Sequence, residues 1–384
     1  MQDGQSAATS TVASAGDLIA SSSTSVISPN AVEITLAPSV LNQSDSSSTP
    51  PLLNPPTTPI VIPNLSTELK NHPNQKFASD VLHDLQWGCR LGCTGPRAPR
   101  VTPNLKSATL QPQAVSNVLA KEVSCGHTAG PFQEPPIQNL QCSPIGVVPK
   151  KDGTWRIIMN LSSPHGSSVN DYISKDTYTF HYATFDQALA LVARHNQNAM
   201  LAKLDIKHTF CLCPVHLADL ELVGTHWEGQ YYIDLHLPFG LRSSPYLFNR
   251  LADALEWILK NNYMIADLMH YLDDYFTVGP SNSKTCADNV NVIIHMASHL
   301  RIPLAPEKLE GPTTSLVFLG ILIDITCMET ALPDDKVKEL LAELSLGRLV
   351  KSALSASCCP SSANLTLLVT SSLRGTYSCV ALLT

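Results

Sequence analysis

Basic charge is scarce in this chain: 25 Lys and Arg stand against 32 Asp and Glu in 384 residues, a formal net charge of −7. That is the wrong sign for a protein whose whole surface attracts nucleic acid, so any polyanion site must be a local groove. From Met1 to Ser66 there is no Lys or Arg at all, only Asp3, Asp17, Glu33 and Asp45. This stretch is rich in Ser, Thr, Pro and Asn and poor in aromatics, so it cannot bury enough apolar surface to offset the entropy of ordering. Residues 1–63 are therefore expected to be a disordered tail. No apolar run reaches membrane-spanning length, and no basic segment with an apolar core opens the chain. Both facts argue against membrane insertion and secretion, and for an intracellular protein, cytoplasmic or nuclear. The 11 cysteines are scattered, and neither Cys89 with Cys93 nor Cys211 with Cys213 has a second ligand pair at zinc-site spacing. They read as reduced thiols, mostly in the core, with zinc as the minor alternative.

What is present is acid in an unusual place. Asp273 and Asp274 lie inside an apolar and aromatic run, His270 to Val278, that otherwise reads as sheet. Adjacent buried carboxylates raise each other's free energy unless a positive charge compensates, and hard divalent cations are the usual compensation. An Asp-Asp pair also suits an ordinary turn between strands. A third acid, Asp205, falls where Met200, Ala202, Leu204 and Ile206 alternate with Lys203, Asp205 and Lys207. The alternation predicts a strand with one buried face, and on that reading alone Asp205 is a residue of the solvated face. If the Asp273-Asp274 hairpin pairs beside this strand, three carboxylates converge at one sheet edge, as a two-metal phosphoryl-transfer centre requires.

Six ordered motifs extend this reading: Ser143 to Lys151, Trp155 to Ile158, Leu204 to Lys207, Leu237 to Leu241, Tyr271 to Asp274 and Phe318 to Ile321. Together they resemble the motifs of retroelement reverse transcriptases, over about Asn64 to Leu344. Gly130 to Phe132 and Ser167 to Asp171 are most similar to the tyrosine-recombinase (DIRS-like) retrotransposons, with gypsy-like elements as the near alternative. The resemblance implies an α+β, right-hand polymerase fold with fingers and palm and a truncated thumb. It also implies RNA-directed DNA polymerase activity on an RNA or DNA template with a primer, using deoxynucleoside triphosphates.

Residue by residue, the resemblance implies that Asp205 and Asp273 ligate two Mg2+ ions, for which Mn2+ can substitute, with Asp274 completing the acidic edge. Arg156 with Lys150 or Lys151 would grip the incoming triphosphate, a task for a planar fork of donors plus a point charge; by composition alone they are a solvated hairpin turn. Phe210 would close against the sugar 2′ position, Phe239 would contact the nucleotide, and Gly240 would let backbone approach it. Lys308 is matched to a lysine near the pyrophosphate leaving group, Arg242 to a template contact, and Phe318, Leu319 and Gly320 to the primer grip, which equally reads as a core strand. His208 stands where small residues are usual and would narrow the pocket, while Asn160 and His165 read as drift in the fingers segment.

The remaining chain is read as a mainly helical extension over 64–132, fingers and palm over 133–330 and the start of the thumb over 331–344. Helices are expected from Phe77 to Leu85, Ala114 to Val123, Tyr182 to Arg194, after Ser243 or Ser244 as cap, from Lys284 to Leu300, and after Asp334. From Ser345 to Thr384 the chain turns abruptly rich in Ser, Cys and Leu without amphipathic pattern. With suitably chosen third codon bases, a one-base shift of frame can recode Ser345 to Ala381 into a basic, family-like segment, so 345–384 is expected to be a frame-shifted, non-native tail. Two alternatives to the polymerase stay open: a degenerate remnant that binds nucleic acid weakly without turnover, and a metal-dependent nuclease built from the same acids. Oligomeric state is not legible.

Overall fold

A computed structural model describes residues 57–150, 153–195, 197 and 199–345, together with the backbone of 365–371 and 377–383. Of the expected N-terminal tail, 1–56 lies outside the described residues, as does most of the expected frame-shifted tail. Within the latter, Leu365–Ser371 pairs with Tyr377–Leu383 as an antiparallel hairpin.

The centre is a four-stranded sheet in the order Glu310–Thr313, Ala199–Asp205, Asp274–Pro280, Leu268–Tyr271, every pair antiparallel. The alternation around Asp205 does make a strand, but its second face is not solvated. Ala202 and Leu204 join the main core, while Ala199 and Leu201 join a second core with Phe276, Val278 and Phe318. A strand central in its sheet and covered on both sides loses the polar-out pattern. Lys203, on the second face, reaches out to Glu310 at 2.7 Å and to the Val317 carbonyl at 2.7 Å.

The mainly helical extension, 64–132, contributes to the same core. Helices α1 (Ile62–Glu68) and α2 (Gln75–Trp87) bury Leu65, Ala78, Val81 and Leu85, and each fully buried leucine contributes about 2 kcal/mol. Asn74 caps α2 through Phe77 N. The ordered chain also begins before residue 63: Thr58 donates to the Leu212 carbonyl at 2.7 Å and Val61 N to the Leu300 carbonyl at 3.1 Å. Helices α3 (Lys106–Leu110) and α4 (Pro112–Ser124) follow. Two strands of this segment, Arg100–Val101 and Thr128–Phe132, form the two edges of a five-stranded sheet whose inner strands are Gln141–Cys142, Gly224–Trp227 and Gln230–Asp234.

A buried ion cluster ties these parts together. Asp219 accepts from Arg90 Nε at 2.9 Å, Arg97 at 2.8 Å and Leu91 N at 2.8 Å. Burial pushes its carboxyl upward, but these donors outweigh burial and hold it below the ordinary carboxylate range.

The remaining helices are α5 (Phe185–Ala193), α6 (Ser244–Asn261), α7 (Thr285–Leu300) and α8 (Asp334–Ser345). The stripe of α6 is as expected, with Phe248, Leu251, Leu255, Ile258 and Leu259 all buried. Ser243 stands at its N-cap position but makes no side-chain capping bond: Ser243 donates to the Leu91 carbonyl and Ser244 to the Pro238 carbonyl, both at 2.9 Å. On α7 the residues Cys286, Asn289, Val290, Ile293, Met296, Ala297 and Leu300 are buried, and Ile294 is exposed. Asn289 is there because its amide donates to Thr277 Oγ1 of the sheet.

Candidate active site

The strand register decides the site. Asp274 lies directly opposite Asp205, so their side chains share one face. Along that face Leu201, Phe276 and Val278 form a dry end, and Asp205 with Asp274 an acidic one. Asp273 occupies the hairpin corner with Leu272, since Tyr271 already pairs with Asp274. Leu272 adopts a φ of 54°, a left-handed conformation that costs a non-glycine residue about 1 kcal/mol. Thr209 Oγ1 donates to Asp273 Oδ2 at 3.0 Å.

Burial raises the carboxyls of Asp273 and Asp274, and the charges of their neighbours raise them further, Asp274 to about 7. The compensating cation is Lys308, whose Nζ donates to Asp205 Oδ2 at 2.6 Å. It reaches there because Lys207 N bonds the Pro303 carbonyl and Ala305 N the Asp205 carbonyl, laying 303–308 along the strand end. Burial works against the Lys308 charge, yet its bond to Asp205 and the nearby aspartates raise its pKa. The set is all hard oxygen with unbalanced negative charge, a chemistry that suits Mg2+. It is more open than a closed metal cage: among the described residues, the three donors that lie within 4.8 Å of one another are those of Glu122, His127 and Cys211.

A row of aromatic groups leads away from the acids. After Thr209 comes Phe210, buried, with its ring 4.8 Å from that of the half-exposed Phe239. The guanidinium of Arg156 lies 5.5 Å over the Phe239 ring. Thus Asp273, Thr209, Phe210, Phe239 and Arg156 form one contiguous line. Arg156 is exposed on the hairpin formed by Ile145–Pro149 and Trp155–Met159, opposite Val148. Lys150 is exposed at the turn of the same hairpin, while Lys151 lies outside the described residues.

The Phe239-Gly240 loop is held by Asn170. Its amide donates to the Gly240 carbonyl at 2.8 Å and its Oδ1 accepts from Arg242 N at 2.8 Å. Gly240 has a φ of 100°, and a Cβ there would sit 2.2 Å from the Met159 carbonyl oxygen, so no other residue fits. The Arg242 guanidinium, expected at the template, instead donates to the carbonyls of Asn170 and Ile173. The primer-grip motif forms a two-residue hairpin turn, with Leu319 and Gly320 both at positive φ. Phe318 is core, stacked on Phe276 at 4.7 Å.

Two expected departures acquire local explanations. His208, at a φ of 55°, lays its ring 5.5 Å from that of His127. Asn160 caps a turn, accepting from Ser162 N, while its own N–H bonds the Pro144 carbonyl. Sequence reasoning missed Thr209 as a support for Asp273, and it missed Tyr182, which stacks on Tyr271 at 5.2 Å. Neither has a spacing signal, because each acts across the fold. Among cations that could line such a local groove, Arg97, Arg100 and Lys203 are engaged internally, whereas Lys106, Lys150, Arg156 and Lys207 are exposed.

Residues 148–323, which hold the three aspartates and the aromatic row, match the profile of the family described as reverse transcriptase (RNA-dependent DNA polymerase). In these residues the chain is similar to reverse transcriptases. The chain is 24% identical over 255 residues to the Gag-Pro-Pol polyprotein of Human T-cell leukemia virus 3 (strain 2026ND), covering 64% of this chain and 17% of that protein. It is 20% identical over 209 residues to the Transposon Tf2-3 polyprotein of Schizosaccharomyces pombe, covering 54% and 14%. This chain thus spans less than a fifth of either polyprotein. The foamy viral protease-reverse transcriptase, solved in complex with RNA/DNA hybrid, shares the fold at a TM-score of 0.50 and 18% identity, covering 74% of this chain and 37% of that one. The chain therefore has the mixed helix and sheet fold expected of it. Among the described residues, no helix is long and apolar enough to cross a membrane.

Proposed function

We propose that this domain is the fingers and palm of an RNA-directed DNA polymerase from a retroelement, joining deoxynucleoside triphosphates to a primer 3′ hydroxyl. The observation that carries the reading is the Asp205 to Asp274 register with Asp273 at the adjoining corner. Asp205 and Asp273 would hold two Mg2+ ions, with Asp274 beside them. Ions held there would supply Lewis-acid chemistry to the primer hydroxyl and to the phosphoryl oxygens of the transferred group. The chain's own groups do the rest. Arg156 and the Lys150–Lys151 turn bind the triphosphate, and Phe210 and Phe239 wall the sugar and base. Lys308 supplies positive charge beside the acids, where pyrophosphate departs. The hairpin tip at Leu319 and Gly320 steadies the primer. An RNA/DNA hybrid, as bound by the foamy viral protein, would lie against the exposed cations. The motifs Gly130 to Phe132 and Ser167 to Asp171 favour a DIRS-like over a gypsy-like element, acting inside the cell.

The test is primer extension on an RNA template by the purified full chain with Mg2+, beside an Asp273→Asn, Asp274→Asn double variant shown to be folded. Extension by the parent alone is expected. Template cleavage without extension would replace the reading by a nuclease, and a folded parent inert on every template would make the domain a non-catalytic remnant.

A further inference from the structure

Away from the polymerase acids, a second cluster of metal-ligating groups joins two distant parts of the chain. Glu122 lies in the last turn of α4, His127 follows the Cys125-Gly126 turn, and Cys211 sits in the short helical turn Thr209–Leu212. One donor atom of each lies within 4.8 Å of the other two. The backbone holds this arrangement: His127 N bonds the Glu122 carbonyl at 3.0 Å, Leu235 N bonds the His127 carbonyl at 2.9 Å, and Cys211 N bonds the His208 carbonyl at 2.8 Å. We propose that Glu122, His127 and Cys211 bind one zinc ion, with His208 as the fourth ligand. This is independent of the polymerase reading.

The donor chemistry selects the ion. A thiolate, an imidazole and a carboxylate are the ligand types of zinc, whereas Mg2+ avoids sulfur. Bonds of about 2.0–2.3 Å in a tetrahedron place donors roughly 3.3–3.8 Å apart, so separations up to 4.8 Å would close by about 1–1.5 Å and the Glu122–His127 pair would open by somewhat less. His127 Nδ1 and Glu122 Oε2 stand 2.7 Å apart across a hydrogen bond, and the ion would take the place of the proton between them. His208 is exposed, so its ring can turn, and it lies against His127. The ion would pin α4 to the turn that carries Thr209 and Phe210. One residue supports Asp273 and the other packs on Phe239, so the staple would stiffen the floor of the candidate polymerase site.

The experiment is Co2+ titration of the full chain, first stripped with chelator in the presence of a reductant. One equivalent is expected to give a thiolate-to-cobalt charge-transfer band and intense four-coordinate visible bands, both bleached by one equivalent of Zn2+. Cys211→Ser should abolish the charge-transfer band, and His127→Gln should weaken Zn2+ binding at least tenfold. Asp273→Asn with Asp274→Asn should leave the band unchanged, which separates this site from the polymerase acids. No charge-transfer band in the parent overturns the proposal, and needs no variant to fold. A band that survives in Cys211→Ser overturns it too, by assigning the metal to another thiol such as the exposed Cys125.

Discussion

Asp205 and Asp274 are paired across two antiparallel strands, with Lys308 bonded to the first and the corner residue Asp273 next to the second. Two carboxylates directly opposite one another destabilise a sheet unless a cation lies between or beside them. The placement is therefore costly to the fold and useful to a metal-binding site.

That cost is measurable. Asp274→Asn removes a carboxyl whose pKa is raised by burial and by its two acidic neighbours. Without added divalent ions it should stabilise the protein by about 1 kcal/mol at neutral pH, seen as a higher melting temperature. Primer extension should fall by about 10³-fold or more. Asp205→Asn should lose extension similarly without the same gain in stability, because it leaves Lys308 without its bonded carboxylate.

Gly240→Ala should cost about 2 kcal/mol or more in chemical denaturation, from the strained φ and from contact with the Met159 carbonyl, which belongs to backbone and cannot turn away. The same change made at Gly229, where a Cβ meets open space, should cost only the backbone term. Comparing the two isolates the close approach.

Arg242 is bonded to backbone rather than aimed at a template. Arg242→Ala should destabilise by about 2 kcal/mol, since it frees the carbonyls of Asn170 and Ile173 from a charged donor. The salt dependence of template binding should keep its slope. A slope reduced by about one would assign Arg242 to a phosphate instead.

Asp219→Asn breaks a buried cluster with Arg90 and Arg97 and should cost about 3 kcal/mol at pH 7. The native carboxyl titrates below its ordinary value of 3.8. Its stabilisation is therefore present above that pH and is lost as pH falls through the lower native value. Unfolding curves of parent and variant should converge below about pH 3.8 and stay apart at neutral pH.

Much was legible from local pattern. The hairpin around Asp273 and Asp274, the strand at Asp205, the helix after Leu237 to Leu241 and its buried stripe all follow from periodicity, because hydrophobic repeats report which face an element buries. The ordered motifs pointed to the family before any coordinate did. Pattern failed where burial came from both sides or where a polar side chain had a distant partner. The Asp205 strand has two dry faces, and α7 buries the polar Asn289, whose partner is Thr277 of the sheet.

The sequence by itself determined that three carboxylates, a set of aromatics and a few cations belong to one fold, since composition and spacing are local properties of the chain. Only the tertiary structure decided what each does. It placed Asp274 opposite Asp205 by strand register, brought Lys308 to Asp205 across 103 residues, and turned Arg242 inward. It also gathered Glu122, His127 and Cys211, whose separations in sequence match no zinc motif. Side chains meet through packing and register, which depend on contacts between segments far apart in the chain and therefore leave no period to read.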